Sequence, residues 1–123
     1  MDADELKKRT KQFALRTIRL VETLPNTRTA NVIGNQLLRS GTSVGSNYRS
    51  ACRGRSRAEF ASKVGIAIEE ADESLYWMEM LIETGIVQES HLSSLMQEAN
   101  ELIAIFTASV KTARSNNQRR QPK

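Results

Sequence analysis

Four sets of residues have types and spacings that offer chemistry. The first is basic. Arg49, Arg53, Arg55 and Arg57 crowd one stretch with Lys63 nearby, and Lys7, Lys8, Arg9, Lys11, Arg16 and Arg19 crowd another. Guanidinium forks match phosphate oxygens, so these sets point towards a polyanion. The second set is acidic: Glu69, Glu70, Asp72 and Glu73, with Glu69 and Glu73 one helical turn apart. A metal site needs more converging ligands than this. The di-iron arrangement of helical bundles needs Glu-x-x-His pairs, and the only histidine, His91, has Gln88 three residues before it. The acidic set therefore reads as a solvated or salt-bridged face, with no metal and no cofactor expected. The third set is a strip of small polar residues, Ser40, Ser43, Asn47 and Ser50. A nucleophilic serine requires a positioned base and oxyanion donors, and neither can be identified, so the strip reads as helix packing. The fourth is Cys52, the single cysteine, which reads as a small, partly buried side chain. Neither a Gly-x-x-x-x-Gly-Lys-[Ser/Thr] phosphate loop nor a dinucleotide fingerprint occurs. The expectation is a protein without a catalytic site.

The charge that surrounds these residues is unevenly placed. The net charge is +4, but residues 1–63 carry 13 Lys/Arg against 5 Asp/Glu, a net of +8, and residues 64–123 carry 5 against 9, a net of −4. Such asymmetry marks a basic surface fit to meet a polyanion, or else a solvated surface with internal ion pairs. No helix-turn-helix signature or aromatic stacking platform accompanies the arginines, so phosphate contacts without base readout are the natural form of any nucleic-acid binding.

The elements that must position these residues are helices. With 123 residues, 39% of them hydrophobic and only two prolines, the chain suits one domain with long stretches free of breakers. Apolar spacing predicts helices over about residues 4–24, 28–53, 57–84 and 90–114, with 115–123 a disordered basic tail. Leu6, Thr10, Phe13, Thr17, Leu20 and Leu24 form the seam of the first helix, which Pro25 ends. Ile33, Leu37, Val44, Tyr48 and Ala51 form the inner face of the second. Phe60, Val64, Ile68, Ala71, Leu75, Met78 and Ile82 form that of the third, and Gly85 followed by Ile86 reads as its C-terminal cap. Leu92, Met96, Ala99, Ile103, Phe106, Val110 and Ala113 form that of the fourth. Short connections make successive helices antiparallel neighbours, so the expected fold is all-α, an up-down antiparallel four-helix bundle over residues 1–114. A polar N-terminus and the absence of any run of ~18 apolar residues predict a cytoplasmic protein.

Two features of this pattern demand a partner surface. Gly34, Gly41 and Gly45 lie inside the second helix, where each costs about 1 kcal/mol relative to alanine, so a neighbour must approach closely there. A turn centred near Arg55 and Ser56 sets Gly45 against Ala67, Gly41 against Ala71, and Arg39 level with Asp72 and Glu73. Leu15 and Ile18 lie opposite the seam of the first helix, and Ile66, Trp77 and Met80 lie opposite the stripe of the third. These five form the expected oligomer interface, tryptophan being favoured in such surfaces.

The stretch from Gln36 to Tyr48, QLLRSGTSVGSNY, and that from Ser56 to Leu81, SRAEFASKVGIAIEEADESLYWMEML, resemble the bacterial four-helix-bundle proteins encoded within intervening sequences of 23S ribosomal RNA genes. The Ser43-Val44-x-x-Asn47 core and the spacing of Phe60, Lys63, Glu70, Glu73 and Trp77 carry the likeness, which extends to about residue 114. The resemblance implies a bundle assembled into a five-membered ring or barrel. It also implies similarity to the accessory protein of diversity-generating retroelements, which binds nucleic acid and a reverse transcriptase. Ser50 departs from the pattern, since relatives often carry glutamate there, and it removes the carboxylate from any ion pair built on that position.

Together these readings predict a non-enzymatic homo-oligomer, a pentamer by resemblance, with a basic surface for RNA or DNA. Arg49, Arg53, Arg55 and Arg57 are the leading contacts, followed by Lys8, Arg9, Arg16 and Arg19. The competing expectation is a structural or protein-interaction module in which the charge serves solubility.

Overall fold

A computed structural model describes residues 1–120, with side chains described to Ser115. Among these residues the chain is all-helical: α1 is Ala3–Glu22, α2 Arg28–Cys52, α3 Arg57–Glu83 and α4 Glu89–Arg120. The first three helices start within a residue of the expected positions because each has an oxygen-bearing cap. Asp2 accepts the Glu5 backbone N–H at 2.8 Å, Thr27 that of Ala30 at 3.2 Å, and Ser56 that of Glu59 at 3.1 Å, each relieving an otherwise unpaired donor. Helix α3 ends as anticipated. Gly85 takes φ +76°, and the Ile86 and Val87 N–H groups both turn back to Leu81 O at 3.0 and 3.1 Å, a left-handed closure that only glycine adopts cheaply. Helix α4 is the exception. It stays helical to Arg120, six residues past the expected end, since no glycine or proline interrupts residues 115–120. Residues 121–123 of the expected tail lie outside the described residues.

Contacts between helices run in opposite numerical directions. Between α2 and α3, Arg39 meets Glu73, Ser40 meets Ser74 and Ser50 meets Lys63. Between α1 and α4, Arg9 meets Glu98 and Arg16 meets Ser94. These contacts are those of a bundle around one core, where Phe13, Leu37, Val44, Val64, Met78, Leu92, Leu102 and Phe106 are excluded from solvent. Tyr48 stacks on Phe106 across that core with ring centroids 5.4 Å apart. Burial, with the neighbouring Cys52 second, pushes the Tyr48 hydroxyl above its usual ionisation range, so the ring stays neutral.

The inner faces of α3 and α4 depart from the apolar stripes. On α3 the fully enclosed residues include Ala61, Ala67, Ala71 and Ser74, while Phe60, Ile68, Leu75 and Ile82 flank them, partly buried. A helix that touches two neighbours places its smallest residues where the backbones come nearest and its bulky ones in the wedges beside them. On α4, Leu95 and Leu102 are enclosed, whereas Met96 and Ile103 stand at the margin.

The glycines correct the expected register. An added Cβ at Gly41 would lie 2.6 Å from Thr17 Cγ2, and one at Gly45 would lie 3.1 Å from Thr10 Oγ1 and 3.3 Å from the Thr10 backbone carbon. Gly34 likewise faces Leu24 and Val21. The glycines therefore make room for α1, and not for Ala67 or Ala71 of α3. Thr10 and Thr17 are buried at this crossing, and their hydroxyls donate to Lys7 O at 3.0 Å and Phe13 O at 2.8 Å. With its hydroxyl satisfied within its own helix, each threonine presents a compact wall to a glycine. Towards α3 the contact is instead the buried Ser40–Ser74 pair, whose oxygens lie 2.9 Å apart.

Two glycine substitutions should therefore act in opposite directions. Gly41→Ala forces a methyl into a stiff, enclosed threonine and should lower stability by about 1–2 kcal/mol despite the gain in helix propensity. Gly65→Ala meets nothing within 4 Å and should raise it by ~0.5–1 kcal/mol. Thermal or urea unfolding of the two variants checks both signs, and a stabilised Gly41→Ala would reject the crossing.

Candidate nucleic-acid interface

The α1–α2 crossing determines where the basic residues go. Because the two backbones meet at Gly45 and Thr10, the side chains on either side of the contact diverge and leave a groove of about 620 Å³ on the outer face. Helix α1 supplies Lys7, Lys8 and Lys11 as one wall, and α2 supplies Arg49 and Arg53 as the other. Between them the lining is buried Thr10, half-buried Ala14, Thr42, Gly45 and Ser50, and exposed Ser46, and no carboxylate lines the groove. Asp4 reaches Lys7 only at 4.0 Å, with the aspartate 89% exposed, a contact too wet and long to neutralise the groove.

The fold divides the arginines into two kinds. Arg9 turns away from the groove to α4. Its Nε and Nη2 donate to both oxygens of Glu98 at 2.8 and 2.7 Å, and Nη2 also reaches Glu101 at 2.9 Å. Glu98, and then Glu101, hold this guanidinium protonated beyond its already high ionisation range. Arg16 donates to Ser94 at 2.9 Å, also towards α4. Arg39 binds Glu73 and, at 3.2 Å, Glu70, and Glu73 leads in stabilising its charge. Glu73 accepts a further hydrogen bond from Trp77 Nε1 at 3.1 Å. Asp72, expected beside Arg39, is exposed instead, because Glu70 lies one turn before Ser74 on the side that faces α2.

Of the eight residues expected to contact nucleic acid, Arg49, Arg53 and Lys8 come together in the groove. Arg55 and Arg57 sit in the α2–α3 turn and at the start of α3, outside it, and Arg19 is exposed on α1 away from it. Lys7 and Lys11 are the members sequence reasoning passed over. Their one-turn spacing was visible, but assigning them to this groove required pairing α2 with α1 through the glycines. Lys63 lies behind the floor and donates to Ser50 Oγ at 2.8 Å.

The other candidate sets receive packing roles. Ser43 donates to Arg39 O at 2.6 Å and Asn47 to Ser43 O at 2.8 Å, so both side chains bond the backbone of their own helix. Among the described residues, no group of three His, Cys, Asp or Glu side chains is arranged to hold a metal ion. Of the expected interface residues, Leu15 and Ile66 are 39% and 40% exposed, Ile18 is half-buried, and Trp77 and Met80 pack against the core margin. Val32 and Tyr76, not anticipated, are more exposed still, at 56% and 51%.

Residues 4–108 match the family of the 23S rRNA-intervening sequence protein. A crystal structure from Bacteroides thetaiotaomicron, described as a protein of unknown function from the S23 ribosomal protein family, is similar in sequence and shape. It is 36% identical, with a TM-score of 0.81, over 86% of this chain and 98% of that one. Among curated proteins none matches.

The two kinds of cation should separate experimentally. Arg9→Ala removes charge-assisted bonds at a partly buried site and should lower stability by about 2 kcal/mol, or ~8 °C in melting temperature. Lys8→Ala, on a solvated wall, should shift it by less than ~0.5 kcal/mol. Equal melting temperatures for the two variants would reject the division.

Proposed function

We propose that this chain, which belongs to the 23S rRNA-intervening sequence protein family, is a non-enzymatic binding module that holds nucleic acid by its phosphates. In this reading it is an up-down antiparallel bundle, as the opposed numbering of the Arg39–Glu73, Ser50–Lys63 and Arg9–Glu98 contacts supports. The observation that carries the functional reading is the groove: five cations on two walls, with no carboxylate among the residues that line it. Where the bundle needs charge for its own cohesion, at Arg9 and Arg39, it supplies acidic partners. The groove cations have no partner of that quality among the described residues, which leaves their electrostatic energy for a ligand.

Self-assembly belongs to the same proposal. Val32, Leu15, Ile66 and Tyr76 leave apolar surface in solvent on an isolated copy, and association would cover it. A pentamer is the assembly that the family resemblance favours. Each added copy would add a groove, so modest single-site affinity would become avidity on a long polyanion. The setting we propose is the cytoplasm. No helix among the described residues is long and apolar enough to cross a membrane.

Two measurements test this. Light scattering at micromolar concentration should give a mass several times 13.8 kDa, and a monomer mass would reject assembly. Fluorescence anisotropy should show RNA or DNA binding that is weakly sequence-selective and falls steeply with salt. Arg49→Ala with Arg53→Ala should weaken it tenfold or more while leaving the melting temperature nearly unchanged. No binding to any nucleic acid at low salt would favour the structural-module reading, in which the groove charge serves solubility.

A further inference from the structure

Resting on the nucleic-acid reading above, we infer that the α1–α2 groove encloses one single strand by its sugar-phosphate backbone and excludes a duplex. The shape is the first argument. At the floor, the space for a Gly45 Cβ is only 3.1–3.3 Å from Thr10, so the two helices are in near contact and the groove opens outward as a V. Its volume of about 620 Å³ falls within the range of concave ligand sites. One backbone can enter such a crease. A duplex presents its backbone with a second strand fixed behind it, and it can touch only the rim.

The distribution of charge is the second argument. Lys7 and Lys11 are one helical turn apart, as are Arg49 and Arg53, so each wall repeats its cations about every 6 Å along its helix. Successive phosphates of one strand repeat at a comparable spacing. With Gly45 against Thr10, Lys7 stands about level with Arg49, and Lys11 and Arg53 lie one turn beyond at opposite ends, so the cations form a staggered line about 12 Å long that suits a row of phosphates running along the crease. A convex double-stranded surface would instead call for cations spread over an exposed face. Lys63 adds to the field from behind the floor. Its ammonium donates to the neutral Ser50 hydroxyl at 2.8 Å, so that contact leaves its charge uncancelled.

The composition of the lining is the third argument. No aromatic ring lines the groove, and the residues between its cations are glycine, alanine, serine and threonine. Bases have nothing to stack on, unlike the platforms common in single-strand binders. The strand is therefore gripped by phosphates, with its bases directed outward and unread. RNA and DNA strands share this chemistry, and their comparison shows whether the 2′-hydroxyl matters.

The test is an anisotropy titration of the full chain with labelled oligo(U), oligo(dT), and fully paired RNA and DNA duplexes, over a series of salt concentrations. Both single strands should bind at least tenfold more tightly than either duplex. The strand slope of log K against log salt should approach about −2 per groove for the roughly three phosphates that a cation line about 12 Å long can meet, and Lys11→Ala should flatten it by ~0.7. Ser46→Leu narrows the groove while keeping every cation and adding no ring on which a base could stack. Ser46 is exposed and its hydroxyl bonds only Ser43 O, so the variant should fold. It should weaken strand binding tenfold or more and leave residual duplex binding unchanged. Duplex binding as tight as strand binding, or an undiminished strand affinity in a folded Ser46→Leu, would overturn strand enclosure while leaving nucleic-acid binding intact. No binding by any probe would overturn both.

Discussion

The approach of α2 to α1 at Gly41 and Gly45 organises much of the rest of the molecule. Two helices that carried ordinary side chains at these positions would stand farther apart, with the gap filled by the side chains themselves. Here Thr17 and Thr10 fill the space directly against glycine backbone. Each glycine costs helix propensity of about 1 kcal/mol, and the cost is offset by dense contact between groups that leave no void. The threonines are suited to this because their hydroxyls are already bonded within α1. A buried polar atom is thereby satisfied without any demand on α2.

The same constraint shapes the surface. Tight contact at the floor makes the outer face of the α1–α2 pair a crease, and the helix period then puts Lys7 and Lys11 on one lip and Arg49 and Arg53 on the other. The groove is thus a by-product of packing, and its charge is an additional feature of the sequence. Nothing about the close crossing requires lysine or arginine at its rim. Elsewhere the bundle answers its cations with carboxylates, as at Arg9 and Arg39. At the groove it does not, although α3 carries exposed Glu69, Asp72, Glu79 and Glu83 on another face.

The bounds of the first three helices follow local signals that physics reads without help from the rest of the fold: Pro25 after α1, capping oxygens at Thr27 and Ser56, and a left-handed glycine at position 85; α4 has no such signal at its end and runs past the expected one. The inner faces of α1 and α2 were legible for the same reason, since each has one dominant apolar row. On α3 that logic held in part: Val64, Ala71 and Met78 of the expected stripe are enclosed, while Phe60, Ile68, Leu75 and Ile82 stand in the wedges and Ala61, Ala67 and Ser74 in the centre, because periodicity weighs hydrophobicity where packing weighs size. The glycines failed in another way. That they required a close neighbour was clear, but α1 and α3 both flank α2, and both offer small residues. Ala67 and Ala71 are as small as the threonines are compact, and composition alone does not choose between them.

That single ambiguity also decided how much of the basic site could be seen. Arg49 and Arg53 are one turn apart on α2, but which lysines they meet depends entirely on the helix their neighbouring glycines touch. Paired with α3, the arginines extend into the turn and gather Arg55 and Arg57, a cluster defined by closeness in sequence. Paired with α1, they leave the turn residues behind and face Lys7, Lys8 and Lys11, a cluster defined by closeness in space. Arg9 sits between Lys8 and Lys11 in sequence yet belongs to neither cluster. Its position on the helix, 200° from Lys7 and 100° from Lys8 at ~100° per residue, carries it to Glu98 on α4. A run of basic residues on one helix is thus divided by geometry alone: one part holds the bundle together, and the other remains available outside it.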